Sequence, residues 1–381
     1  MDRRSFIAAA LGVFAAPALA QLGSSPSRTR WKVRSSEGFD ALAFLGPLAG
    51  GELYLPYYKV DVDVFAPRLP AAVSADIGAL WKDAEAAGFG LLGPSLSVIF
   101  SAGHDADLKT MIDAVASPDA ILLPAYRSSP YWEEKDWGWF VSVAPRLRKI
   151  FEAMLDAGFP AFLTQRTATL EQRIAELPRS LAGFDVIQQQ EKLTGRTFDP
   201  QIEVVLLQFC KPHGIKVQGQ TFLQAADWNI ATTVRNAAHE MLHPPVPMDG
   251  AAAKAALAVL GKDPLISKIV KDHDPRWGYT SLEGMFNEDL VQALDQLIAE
   301  SLGVARNPAD RWRRSDDGMH VLAGGLYGLL RDDKWAEAGG NIEQWVAKAA
   351  AAGRLAPAVM HKAAARVLER PVDKLWPLPK A

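Results

Sequence analysis

The spacing of apolar residues changes character near position 200. Upstream, Leu80, Ala84 and Ala87 follow Ile77 at helical intervals, and Phe151, Met154 and Leu155 share one stripe. Leu170 to Gln190 forms another helix-like run that ends near Gly195. Gly46-Pro47, Gly93-Pro94 and Ser129-Pro130 punctuate the region. Residues 35–199 are therefore expected to form a mainly helical N-terminal region. The apolar, β-branched run Ile202-Glu203-Val204-Val205-Leu206-Leu207 instead predicts a buried strand. A turn at Lys211-Pro212-His213-Gly214 then leads to Ile215-Lys216-Val217 and Thr221-Phe222-Leu223, which read as a hairpin. Asp227 or Asn229 can cap a helix over 229–243, and Pro244-Pro245 stops it because proline cannot continue the hydrogen-bond ladder. Helical runs resume near 251–260, 284–302, 341–352 and 357–368, with no internal repeat. The expected fold is α+β and mainly helical. A small mixed or antiparallel sheet (strands within 202–226) packs on the 229–243 helix, with helical lobes on both sides and residues 200–381 as one region.

The N-terminus adds a second kind of information. Arg3-Arg4-Ser5-Phe6-Ile7 precedes the apolar stretch Ala8 to Ala16, and Ala18-Leu19-Ala20 follows Pro17. A charged segment, a short apolar run and a small-x-small site define an export signal over 1–20, and the arginine pair resembles the twin-arginine type. The apolar run is well short of the roughly 20 residues that span a bilayer, so no stable membrane anchor is expected after cleavage. Residues 21–34, beginning Gln21-Leu22-Gly23-Ser24-Ser25-Pro26, read as a linker. The expected location is periplasmic or secreted. A formal charge of -3 argues against a broad nucleic-acid footprint, and Arg311, Arg313 and Arg314 read as a solvated face. Cys210, the single cysteine, ends an apolar run and reads as a buried small hydrophobe.

The segment His239-Glu240-Met241-Leu242-His243 carries the candidate chemistry. Residues four apart on a helix lie on one face, so both imidazoles can reach one Zn²⁺ at about 2.0–2.1 Å. Glu240 points about 100° around the helix, beside such an ion, where a general base for a metal-activated water belongs. His104, His213, His273 and His361 have no partner at metal spacing and read as surface or core residues.

The strand pair followed by this motif on a helix resembles the zincin superfamily of metallopeptidases over roughly residues 200–300. A longer likeness, to a bacterial family of exported zincin-like proteins, rests on Phe39-Asp40-Ala41-Leu42, Tyr57-Tyr58 and Glu288-Asp289-Leu290-Val291-Gln292-Ala293-Leu294. It bears on fold more than on activity. The superfamily resemblance implies an edge strand, within 215–226 here, that pairs with extended substrate. It also implies a third protein ligand. A metzincin pattern would place that ligand at Asp249, but Val246 stands where the pattern has glycine and Pro244-Pro245 obstructs the turn. The gluzincin pattern points to Glu288, in an Asn287-Glu288 pair similar to that of thermolysin-like enzymes, with Glu283 or Glu300 as further choices. Gln292 departs from the aspartate that orients a ligand histidine in those enzymes; it could still accept from an imidazole, or Asp295 could take the role. For the oxyanion, His320 is the first candidate, then Tyr279 and Tyr327. The expected function is an exported zinc-dependent hydrolase, a peptidase acting on a peptide or protein substrate. The alternatives are a non-catalytic zincin-like periplasmic binding protein and a cell-wall peptide amidase.

Overall fold

The computed structural model describes residues 27–89, 91–101, 104–274 and 277–377. The export signal expected over 1–20 lies outside them. Among the described residues no helix is long and apolar enough to cross a membrane.

A four-stranded mixed sheet, ordered β1-β2-β4-β3, divides a mainly helical α+β protein. β1 (Arg30–Ser35), β2 (Gln201–Leu207) and β4 (Thr221–Ala225) run parallel, and β3 (Ile215–Lys216) pairs antiparallel with β4. The hairpin and the 202–207 strand form as the apolar pattern predicts. β1 corrects the linker expected over 21–34, whose last residues join the sheet. Trp31 and Val33 alternate with Arg30, Lys32 and Arg34, the period of a half-buried edge strand. Its partner strand lies some 170 residues downstream, so no local signal announces the pairing. Glu203 on β2 bonds Lys32 at 2.7 Å and Arg34 at 3.3 Å, which fixes the charged positions of β1 over its neighbour.

Both faces of the sheet are covered, which explains the continuous apolar run of β2. Ile202, Val204, Leu206 and Phe222 point into one core, and Val205, Leu207, Leu223 and Ala225 into the other. Burying each of these larger side chains contributes about 1.5–3 kcal/mol relative to leaving it exposed. The second core is built from N-terminal helices, including Glu37–Leu48 and Glu134–Asp156. The first contains the helices after residue 230 together with Leu177 to Phe198 from upstream. The helices Leu170–Leu181 and Val186–Thr194 thus pack with the C-terminal lobe, although they precede β2. Cys210 is buried and free, as its sequence context suggests.

Asp40 ties the N-terminal lobe to the end of β2. Its buried carboxyl accepts a 2.9 Å hydrogen bond from the Phe209 N–H. Burial drives its pKa up from 3.8 to about 8, against the pull of the Phe209 and Gln208 N–H groups. The folded state therefore holds a proton on Asp40 that the unfolded chain releases near pH 4. The stability this supplies is complete below that pH and is lost as pH rises through about 8. The neutral amide of an asparagine side chain mimics the protonated acid. In chemical denaturation across pH 4–9, Asp40→Asn is expected to gain stability relative to the wild type as pH rises; a constant difference would refute the shift.

Candidate metal centre

The helix Ile230–Glu240 begins at Asn229, whose side chain accepts from Thr232 N at 2.8 Å. Its buried face, including Val234, Ala237 and Ala238, packs into the C-terminal core, and Gln224 of β4 donates to Thr233 at 2.9 Å. The helix, expected to reach His243, ends at Glu240. The residue before a proline is pushed out of the helical region, so Pro244 displaces His243 onto a following turn. Gln190 holds that end by donating to the Ala237 and Ala238 carbonyls at 3.3 and 3.1 Å. Arg196 pins the proline pair through the Pro244 carbonyl at 2.6 Å. The two imidazoles still converge, with Nε2 atoms 3.2 Å apart.

The opposing wall is the helix Leu282–Ser301, buried along most of its length and capped by Ser281. Its polar residues Glu288, Gln292 and Asp295 recur at i, i+4 and i+7, so one polar stripe faces the two histidines. Glu288 places Oε1 3.5 Å from His239 Nε2 and Oε2 3.4 Å from His243 Nε2. A tetrahedral zinc with bonds of about 2.0–2.1 Å needs donors about 3.3–3.4 Å apart. The nearest contacts among His239, His243 and Glu288, which use both Glu288 oxygens, lie close to that spacing, and the three residues form a group able to hold a metal ion. Of the other third-ligand candidates, Asp249 and Glu283 are exposed, and Glu300 takes a 2.5 Å hydrogen bond from Tyr327. That bond also keeps Tyr327 occupied away from the histidines.

Charge supports the same fit. Glu240, Glu288, Asp289 and Asp295 are all buried here. Against them stand His320 and Arg311, whose side chains are 1% and 9% exposed. The charge left beside the two imidazoles is met in the protein alone by Lys216, which acts on Glu240, and by a proton on His239, and a divalent cation could replace that proton. In the protein alone the histidines respond to this field. Burial opposes charge on His239, but Glu288 and Asp295 raise its pKa to about 9. His243 falls to about 4 through burial and repulsion from His239. Burial would raise Glu288, yet the neighbouring histidines hold it at about 2.

Asp295 sets the ring of His239, accepting from Nδ1 at 2.7 Å. With Nδ1 as donor, the Nε2 lone pair is left for an ion. Arg311 grips both Asp295 oxygens, one at 2.9 Å. Arg311 therefore departs from the solvated face expected of it, whereas Arg314 remains exposed. Gln292 does not accept from either ligand imidazole: it donates to Glu288 Oε1 at 2.9 Å and accepts from Trp312 at 2.7 Å, and its Nε2 also lies 3.2–3.3 Å from the His320 ring nitrogens.

His320 lies behind Glu288 with Nδ1 on Asp289 at 2.6 Å and Nε2 on Asp316 at 2.9 Å. Burial disfavours its charge, but these two carboxylates lift its pKa to about 10. Both N–H groups are taken, so none is free for the oxyanion contact expected of it. Tyr279 is better placed, since its hydroxyl hydrogen-bonds Glu288 and its ring lies 6.2 Å from that of His320. Burial first, and then the Glu288 charge, push that hydroxyl well above the ordinary tyrosine range.

Glu240 sits against the hairpin, where its carboxylate accepts from the Lys216 backbone N–H. Burial raises its pKa, opposed by the charge of His239. A Cβ on Gly214 would stand 3.0 Å from Glu240 Oε1, so a side chain there would press on the carboxylate. Within 215–226, β4 is paired on both sides; β3 alone forms the edge, and its Lys216 N–H is committed to Glu240. Little strand edge remains for a substrate to pair with. Three of the other described histidines have partners away from the centre. His273 bridges the Ile269 and Gly278 carbonyls, His361 bonds Asp263 at 2.7 Å, and His213 packs on Tyr54.

Comparison with known proteins finds no matching family model, no matching curated protein and no matching solved structure.

Removing the support of a ligand histidine typically weakens metal affinity about 10–100-fold. Asp295→Asn is expected to lose zinc affinity in that range in chelator competition, with the fold kept as judged by circular dichroism. An unchanged affinity would remove Asp295 from the centre.

Proposed function

We propose that the chain is an exported zinc-dependent hydrolase that cleaves amide bonds in peptides or proteins. The observation that carries this reading is the triangle of His239, His243 and Glu288 with the Glu240 carboxylate buried beside it. The donor set is two imidazoles and one carboxylate, the catalytic rather than the closed structural type of zinc site. Zinc bound there supplies a Lewis acid that makes water acidic enough to lose a proton near neutral pH. The Arg3-Arg4-Ser5-Phe6-Ile7 leader supports export.

The chain's own residues divide the work as follows. Asp295 and Arg311 fix His239 in one tautomer, and Gln292 holds Glu288. Glu240 receives the proton of the attacking water and returns it to the leaving amine, and a buried carboxylate of raised pKa suits both transfers. The Lys216 N–H keeps that carboxylate aimed, and Gly214 leaves it unobstructed. The Tyr279 hydroxyl, now on Glu288, turns to the carbonyl oxygen as negative charge develops there.

The test is hydrolysis of casein or quenched peptides by the zinc-loaded chain and by Glu240→Gln. Loss of the general base is expected to cost about 10²–10⁴ in kcat while bound zinc stays constant. Full activity in the variant would contradict the role of Glu240. Zinc binding with no hydrolysis in either protein would favour a binding protein instead.

A further inference from the structure

Beside the candidate centre lies a cleft of about 480 Å³ with the His239 ring in its wall. Arg235, Arg306 and Arg311 line it together with Trp228 and Asn236. Arg311 is spent on Asp295, and the Asp316 carboxylate at the rim is spent on His320. The other two guanidiniums have no carboxylate partner among the described residues. Arg235 donates only to neutral oxygens, the Val304 carbonyl at 2.8 Å and Thr232 Oγ1 at 2.9 Å. A guanidinium carries five N–H donors, so most of its capacity is unspent. Arg306 is exposed at the rim and makes no side-chain hydrogen bond or ion pair among the described residues. Partial burial and the adjacent charges of Arg311 and Arg235 lower the pKa of Arg306, so the cations crowd one another. Asn236, on the turn of helix before Glu240, adds a buried side-chain nitrogen with no partner.

A cleft walled by a ligand histidine and by two uncompensated guanidiniums favours an anion, and the planar fork of arginine matches a carboxylate. We infer that this cleft is a substrate subsite in which Arg235 and Arg306 hold a carboxylate on the side of His239 that faces Asp295. The inference rests on the hydrolase reading for its biological meaning, but binding at the cleft is independent of turnover. Two sources share the chemistry: the C-terminal carboxylate of a peptide, and an acidic side chain within one.

Calorimetric titration of the zinc-loaded full chain bearing Glu240→Gln, which removes turnover, distinguishes them. The probes are acetyl-Ala-Ala-Ala with a free carboxylate, acetyl-Ala-Glu-Ala-amide and acetyl-Ala-Ala-Ala-amide. At least one carboxylate peptide is expected to bind about tenfold or more tightly than the neutral one, consistent with a charge-assisted hydrogen bond of about 1.5–3 kcal/mol. The tighter of the two names the source. Adding Arg306→Gln, a change at an exposed rim residue, is expected to reduce that preference severalfold, and adding Arg235→Gln as well to abolish it, with zinc content unchanged throughout. Equal binding of all three peptides, or a preference that survives both substitutions, overturns the subsite. Absence of hydrolysis by the Glu240 protein with this preference intact would instead sink the hydrolase reading and leave the anion site standing.

Discussion

Four carboxyl groups buried within one helix pair are the constraint on which the rest of the structure turns. Taking a charge out of water costs several kcal/mol even after relaxation, so each acid must meet a cation or a proton. Asp295 meets Arg311 and His239, and Asp289 meets His320. Glu240 and Glu288 meet the space beside the two imidazoles. The second layer thus pairs Asp289 and Asp295 with His320 and Arg311 and leaves Glu240 and Glu288 beside the two imidazoles. A divalent ion held there would answer the same carboxylates that otherwise raise the pKa of His239.

The fold serves this arrangement by making the site a seam between two cores. The sheet hands one row of side chains to each lobe, and β4 leads directly into the helix that carries His239. The hairpin returns to touch Glu240, and Leu282–Ser301 closes from the opposite side. Because that helix is buried along most of its length, its polar stripe cannot be solvated in the usual way. The stripe persists because its members satisfy one another and the histidines. The helices between Glu37 and Arg166 cover one face of the sheet, and Tyr131 from that region lies within the field of Glu240.

The legible parts of the sequence were those governed by local rules. The apolar run of β2, the hairpin, the cap at Asn229 and the i, i+4 histidines each follow from spacing within a few residues. Glu288 was reachable because the gluzincin pattern supplies a carboxylate from a later helix. What stayed hidden depends on distant partners. β1 is a strand only because β2 pairs with it. Arg311 sits in a basic triplet whose other members pair with Asp310 at the surface, and only Asp295 sixteen residues earlier distinguishes it. His320 illustrates the reverse problem. A histidine after an Asp-Gly pair resembles a reactive group, yet Asp289 and Asp316 occupy both of its nitrogens.

The most direct measurement is zinc K-edge X-ray absorption on the purified full chain after zinc loading and dialysis. The account predicts one tightly held zinc per chain, with two imidazole nitrogens at about 2.0–2.1 Å and a carboxylate oxygen at about 2.0–2.2 Å. The imidazole scattering should disappear in a His239→Ala, His243→Ala double variant. A shell of oxygen alone, or zinc that dialyses away from the wild-type chain, would contradict it.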